Sequence, residues 1–144
     1  MTYSYGPKSK KVLKELHVDL QKVFVEAIKL IDISLFEGFR NKEMQNRYYE
    51  EGKSKIKFPN GKHNRKPSMA VDAGFYPIVW PDKRKPKTLA KWYYFGGIVI
   101  GTANALYAAG KIKHKIRWGG DWDMDHCFTD QKFDDLPHFE AYKP

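Results

Sequence analysis

One cysteine, Cys127, is all that this chain of 144 residues carries. That scarcity excludes a disulfide framework and any cysteine-rich structural zinc site, so a metal could be held only by histidine and carboxylate. The N-terminus, Met-Thr-Tyr-Ser-Tyr-Gly-Pro-Lys, lacks the apolar run of a secretory leader. It predicts a protein left in the cytoplasm until something else releases it. Internal repeats, linker-like stretches and nucleic-acid-binding signatures are all missing, which argues for a single domain over residues 1–144 and against a specific nucleic-acid partner. One uncharged stretch, Trp92–Gly110, is long enough to suggest a membrane span. Its glycines, Asn104 and tyrosines dilute its apolarity, so a buried helix is expected and stable membrane insertion is not.

Acidic charge is scarce over most of the chain. The net charge is +9, yet seven of the 17 acidic residues fall between residues 119 and 144, where only two basic residues stand. A basic body with an acidic end favours polyanions: nucleic acid, anionic membrane or anionic cell-wall polymer. Hydrophobic residues at 42% and aromatics at 15% are enough for one packed core.

Apolar residues at three- and four-residue steps from Val12 to Ile31 predict an amphipathic helix over residues 8–31. A strand is expected over Ile33–Arg40, then a helix over Lys42–Glu51 capped by Asn41. Residues 52–67 read as a long exposed loop and 68–72 as a short buried strand with Asp72 at its edge. A basic, proline-bounded loop covers 81–88. Further strands are expected at 113–118 and 138–142, around a Gly119-Gly120 turn. Helices and strands in this order predict an α+β fold, with helices packed on one mostly antiparallel sheet.

Two short runs hold the residues that carry chemistry: His63-Asn-Arg-Lys-Pro-Ser-Met-Ala-Val-Asp72 and Asp135-Leu-Pro-His138. His63, Asp72 and His138 are candidate ligands of a catalytic zinc, three donors that leave a fourth position for water. Asp135 is the spare carboxylate that could take the water's proton. Histidine and aspartate are common, and a His-x8-Asp spacing is loose, so counting does not separate these residues from hydrogen-bonded surface side chains. Asp121, Asp123 and Asp125 resemble the start of a calcium loop. His126 stands where the pattern needs glycine and Lys132 where it needs glutamate, which leaves an acidic turn or a looser cation site. Trp118 and Trp122 are candidates for cleft wall or for core, His126 for an ordinary structural histidine, and Cys127 for a buried or partly buried thiol.

Four segments, in order, carry a resemblance: Glu37-Gly-Phe-Arg40 with Gln45; Gly61–Asp72; Arg117-Trp-Gly-Gly-Asp-Trp122; and Asp134-Asp-Leu-Pro-His-Phe-Glu140. Together the chain resembles zinc peptidases of the D-Ala-D-Ala carboxypeptidase type, a group with lysostaphin- and hedgehog-like folds. In particular it is similar to single-domain phage endolysins that act as L-alanyl-D-glutamate peptidases. The resemblance implies zinc on His63, Asp72 and His138, Asp135 as catalytic base, Arg40 as the cation that steadies the substrate carbonyl or carboxylate, and Ser68 as a contact to substrate or to the ligands. It also implies peptidoglycan as the target, reached from the host cytoplasm after release through a separate pore; a monomer is expected. Two departures are Gly61-Lys-His63 in place of the family's Ser-x-His, and a His63–Asp72 interval two residues longer than the common form. A D,D-carboxypeptidase or dipeptidase of the same group, and a non-catalytic basic binder of wall or nucleic acid, are the alternatives.

Overall fold

The structure, a computed structural model, describes residues 2–144. Its elements are α1 (Pro7–Glu15), α2 (Val18–Ala27), β1 (Ile33–Glu37), α3 (Lys42–Glu50), a 3-10 turn (Lys62–Asn64), β2 (Ala70–Phe75), α4 (Pro86–Ala108), β3 (Lys115–Gly119) and β4 (Asp135–Tyr142). The four strands form one antiparallel sheet in the order β1-β2-β4-β3. The expected α+β architecture is present.

Side chains alternate across a strand, and here the alternation separates core from chemistry. Phe139 on β4 points into the helical layer, where its ring meets Phe24 of α2 and Phe95 of α4, each at 5.8 Å. Val71, Ala73 and Phe75 are fully buried on the same side of β2. The intervening residues, Asp72, His138 and Glu140, project to the other face. Trp118 stacks on Phe139 and donates its indole N–H to the Leu136 carbonyl at 2.7 Å. Gly96 allows this packing, because a Cβ there would lie 2.5 Å from the Trp118 ring. Trp118 is therefore core.

Several boundaries differ from the sequence expectation. The single helix over 8–31 is two helices. Its interruption at Leu16–His17 is used for pairing: His17 N–H donates to the Ser68 carbonyl at 2.9 Å, and Ser68 N–H to the Glu15 carbonyl at 2.8 Å. His17 then caps α2, its Nδ1 accepting from Asp19 N–H at 3.0 Å. A tertiary contact has overridden local periodicity. β1 ends at Glu37, before Arg40. α4 starts at Pro86, six residues before Trp92, because proline suits a first helical turn. Asp72 lies inside β2 instead of at its edge, and β4 begins at Asp135 instead of His138. Cys127 is exposed. No helix among the described residues is long and apolar enough to cross a membrane.

Candidate metal centre

The register of the sheet brings the two motifs together. Asp72 on β2 is the direct partner of His138 on β4, and Arg117 on β3 of Glu140. The 3-10 turn supplies His63 from the side, held because Arg40 N–H donates to the His63 carbonyl at 2.7 Å. His63 Nε2 and His138 Nδ1 each lie 3.4 Å from Asp72 Oδ1.

Each imidazole is oriented by a hydrogen bond on its far nitrogen. His63 Nδ1 lies 2.7 Å from the Gly38 carbonyl oxygen, and a carbonyl can only accept. The proton therefore sits on Nδ1, and the Nε2 lone pair faces Asp72. His138 Nε2 lies 2.8 Å from Glu140 Oε1, which leaves Nδ1 towards Asp72 by the same logic. The pocket-facing atoms His63 Nε2 and Asp72 Oδ1 are buried without a hydrogen-bond partner. Two imidazole lone pairs turned on one carboxylate oxygen call for a cation or a proton between them. Bonds of about 2.0–2.1 Å to zinc make a tetrahedron with edges of about 3.3–3.4 Å, and the two 3.4 Å separations match it.

Protonation tells the same story. Burial acts to raise the Asp72 pKa, but the neighbouring His63 and His138 outweigh it and hold the carboxyl well below its usual range. Burial acts to lower the His138 pKa, yet hydrogen bonds to Asp72 and Glu140 push it up to about 9. Glu140, against its own burial, is drawn down to about 2 by His138 and Arg117. The site attracts positive charge.

Two other clusters in the described residues have ligand-like composition, His17/Asp19/His114 and Asp121/Asp123/Asp125. The first is already satisfied: Asp19 Oδ2 accepts from Lys113 N–H at 2.9 Å and from His114 N–H at 3.1 Å, and lies 2.8 Å from His114 Nδ1. It is a tie between α2 and the approach to β3. The second is an acidic turn with its own bonds, in which the amides of His126 and Cys127 donate to Asp121 and Asp125 at 3.1 and 2.8 Å.

The remaining predicted residues have distinct places. Arg40 is buried. Its Nε pairs with Glu37, its Nη1 donates to Gln45 Oε1 at 3.0 Å, and its guanidinium lies 4.7 Å from the Tyr48 ring centroid. Its Nη2 is turned towards Asp72 Oδ2 at 3.6 Å. Asp135 lines the same cleft, of ≈ 600 Å³, with its pKa raised by burial and by the Asp72 charge. Ser68 is fully buried, its Oγ 2.7 Å from the Ala70 carbonyl oxygen and 3.1 Å from that of Gly38. It thus shares an acceptor with His63 and faces away from the cleft. Trp122 walls the cleft, its ring 5.3 Å from His138, whereas His126 lies in the acidic turn.

The model of the family described as phage L-alanyl-D-glutamate peptidase matches nearly the whole chain, residues 1–142. The chain belongs to that family. It is a peptidase, and the bond class that the family cleaves lies within peptidoglycan stem peptides. Among solved structures, the Serratia marcescens L-Ala D-Glu endopeptidase ChiX is similar at 23% identity and a TM-score of 0.66, over 96% of this chain and 90% of that one. At that identity the likeness is one of fold. No curated protein matches the sequence significantly.

The family assignment leaves some residues for the structure to add. Glu140, Gln45 and Glu37 sit inside the resembling segments, yet sequence reading gave them no role. Their signal was alternation along β4 for Glu140, two residues from His138. For Gln45 the signal was an amide at a helical position that proves buried, its Nε2 donating to the Ile56 carbonyl at 2.6 Å.

Proposed function

We propose that the chain is a zinc-dependent endopeptidase that hydrolyses the L-alanyl-D-glutamate bond of peptidoglycan stem peptides, in the lysis of a phage-infected host. The supporting observation is the convergence of His63 Nε2, Asp72 Oδ1 and His138 Nδ1, two of them orphaned and buried, beside the raised carboxyl of Asp135. Zinc held by those three residues would supply Lewis-acid chemistry, acidifying a water and polarising the scissile carbonyl.

The protein's own residues divide the rest of the work. Asp135 accepts the proton of the attacking water as its oxygen bonds to the alanyl carbonyl carbon. It returns that proton to the glutamate nitrogen as the C–N bond breaks, leaving a carboxylate and an amine. Arg40 is fixed by Glu37, Gln45 and Tyr48, so its Nη2 can face the oxygen on which negative charge develops without reorganising. Glu140 keeps the His138 ring in its ligating tautomer, and Ser68 helps to place the carbonyl that does the same for His63. A hydrophobic cluster joins α1, α2, α4 and the sheet, which supports reading the chain as one catalytic domain; a monomeric enzyme is part of the same proposal.

Digestion of purified peptidoglycan, with the new termini identified by mass spectrometry, tests the reading. New amino-terminal D-glutamate supports it. Release of terminal D-alanine alone would make the enzyme a D,D-carboxypeptidase. Absence of stoichiometric zinc in the purified protein would remove the metal from the mechanism.

A further inference from the structure

Residues 76–91 form a surface that the peptidase chemistry does not use. Where β2 leaves the sheet after Phe75, three apolar side chains stand in solvent: Tyr76, Val79 and Trp80 are 60%, 51% and 58% exposed. They are held, not loose. Trp80 stacks on Trp92 at 6.0 Å and meets Phe36 at 5.5 Å, while the Trp92 indole N–H donates to the Val79 carbonyl at 2.7 Å. An exposed aliphatic–aromatic group on a fixed loop costs solubility unless something covers it.

The charge beside it is almost all of one sign. Lys83, Arg84, Lys85, Lys87 and Lys91 follow within a few residues and all are exposed; Asp82, the single carboxylate among residues 81–91, is already bonded to Arg84 at 3.1 Å. Lys85 caps α4 without any side-chain hydrogen bond, so the positive end of a 23-residue helix also opens here. None of residues 76–91 lines the catalytic cleft.

We propose that this surface docks the protein on the anionic face of a phospholipid bilayer. The cations meet lipid phosphates, while Trp80, Tyr76 and Val79 settle at the boundary between headgroups and acyl chains, where tryptophan and tyrosine are favoured. A wall polymer would satisfy the charge but leave the apolar group in water, so the bilayer accounts for both halves of the patch. Attachment is peripheral, because no helix among the described residues is long and apolar enough to span. The cleft, lined by other residues, stays open to substrate while the protein is docked.

Co-sedimentation with vesicles tests this, using phosphatidylcholine alone and phosphatidylcholine mixed with phosphatidylglycerol. Wild-type protein should sediment with the mixed vesicles, release as salt rises, and ignore the neutral ones. Replacing Lys83, Arg84 and Lys85 together by glutamine should weaken binding at least about tenfold. Trp80→Ser should weaken it too, with both variants retaining wild-type cleavage of soluble stem peptides. Three results would overturn the proposal: equal binding to both vesicles, no binding to either, or unchanged binding by the charge variant. Sedimentation with isolated anionic wall polymer but not with vesicles would reassign the surface to the wall.

Discussion

Asp72 and His138 face each other across the β2–β4 pair, with Oδ1 and Nδ1 3.4 Å apart. That one register position joins motifs that lie 66 residues apart in the chain, and it makes the separate roles of the site's residues open to test.

Asp135 and His138 should fail differently. Asp135→Ala is expected to keep zinc and lose about 10²–10⁴-fold in turnover, the range of a general base. His138→Ala should lose metal and activity together. Elemental analysis beside a peptide-cleavage assay distinguishes them, and wild-type turnover in the Asp135 variant would refute its role.

Glu140 bonds to His138 and is not among the proposed ligands, so its loss should register first in metal affinity. Glu140→Gln keeps an oxygen near His138 Nε2 but removes the charge paired with Arg117 at 2.8 Å. Zinc affinity should fall about 10–100-fold, as read by competition with a chromophoric chelator. Unchanged affinity would make the Arg117–Glu140 pair purely structural.

At the proposed site, metal and proton would compete for one place. In metal-free protein His138 holds its proton up to about pH 9, so zinc uptake at pH 7 should release about one proton, and affinity should climb about tenfold per unit from pH 7 to 9. Calorimetry in buffers of different ionisation enthalpy measures the release. The same raised pKa stabilises the metal-free fold fully below the unfolded value of about 6.5, and that contribution is lost as pH rises through about 9. A flat affinity profile would contradict this account.

Asp19 should govern resistance to acid. Burial acts to raise its pKa, but hydrogen bonds from His114 and from the Lys113 and His114 amides outweigh it and hold the carboxyl below its usual range. A depressed carboxylate adds stability above its unfolded pKa of about 3.9, and loses it as pH falls through the folded value. Asp19→Asn should cost about 1–2 kcal/mol near neutral pH, lowering Tm by several degrees. In thermal melts across pH the gap to wild type should close in acid; a gap constant down to pH 2 would exclude this origin.

The fold class was legible in the sequence, and so were the residues proposed as metal donors and base, because each rests on local pattern or residue type. Periodicity marks helices and strands, the near-absence of cysteine confines a metal to histidine and carboxylate, and the ordered segments around Arg40, Asp72 and His138 carry the family resemblance. The break at Leu16–His17 was not legible, since the helical pattern runs through it and a partner at Ser68 interrupts it. Nor was the turn of the Ser68 hydroxyl onto the Gly38 and Ala70 carbonyls, away from the cleft, or the division of Trp118 into the core and Trp122 into the cleft. What only the tertiary structure decided is which nitrogen of each histidine faces the site. That choice belongs to acceptors on other segments or across the strand pleat, the Gly38 carbonyl for His63 and Glu140 for His138. A sequence names its donors; their lone pairs are aimed by hydrogen bonds that exist only once the strands have paired.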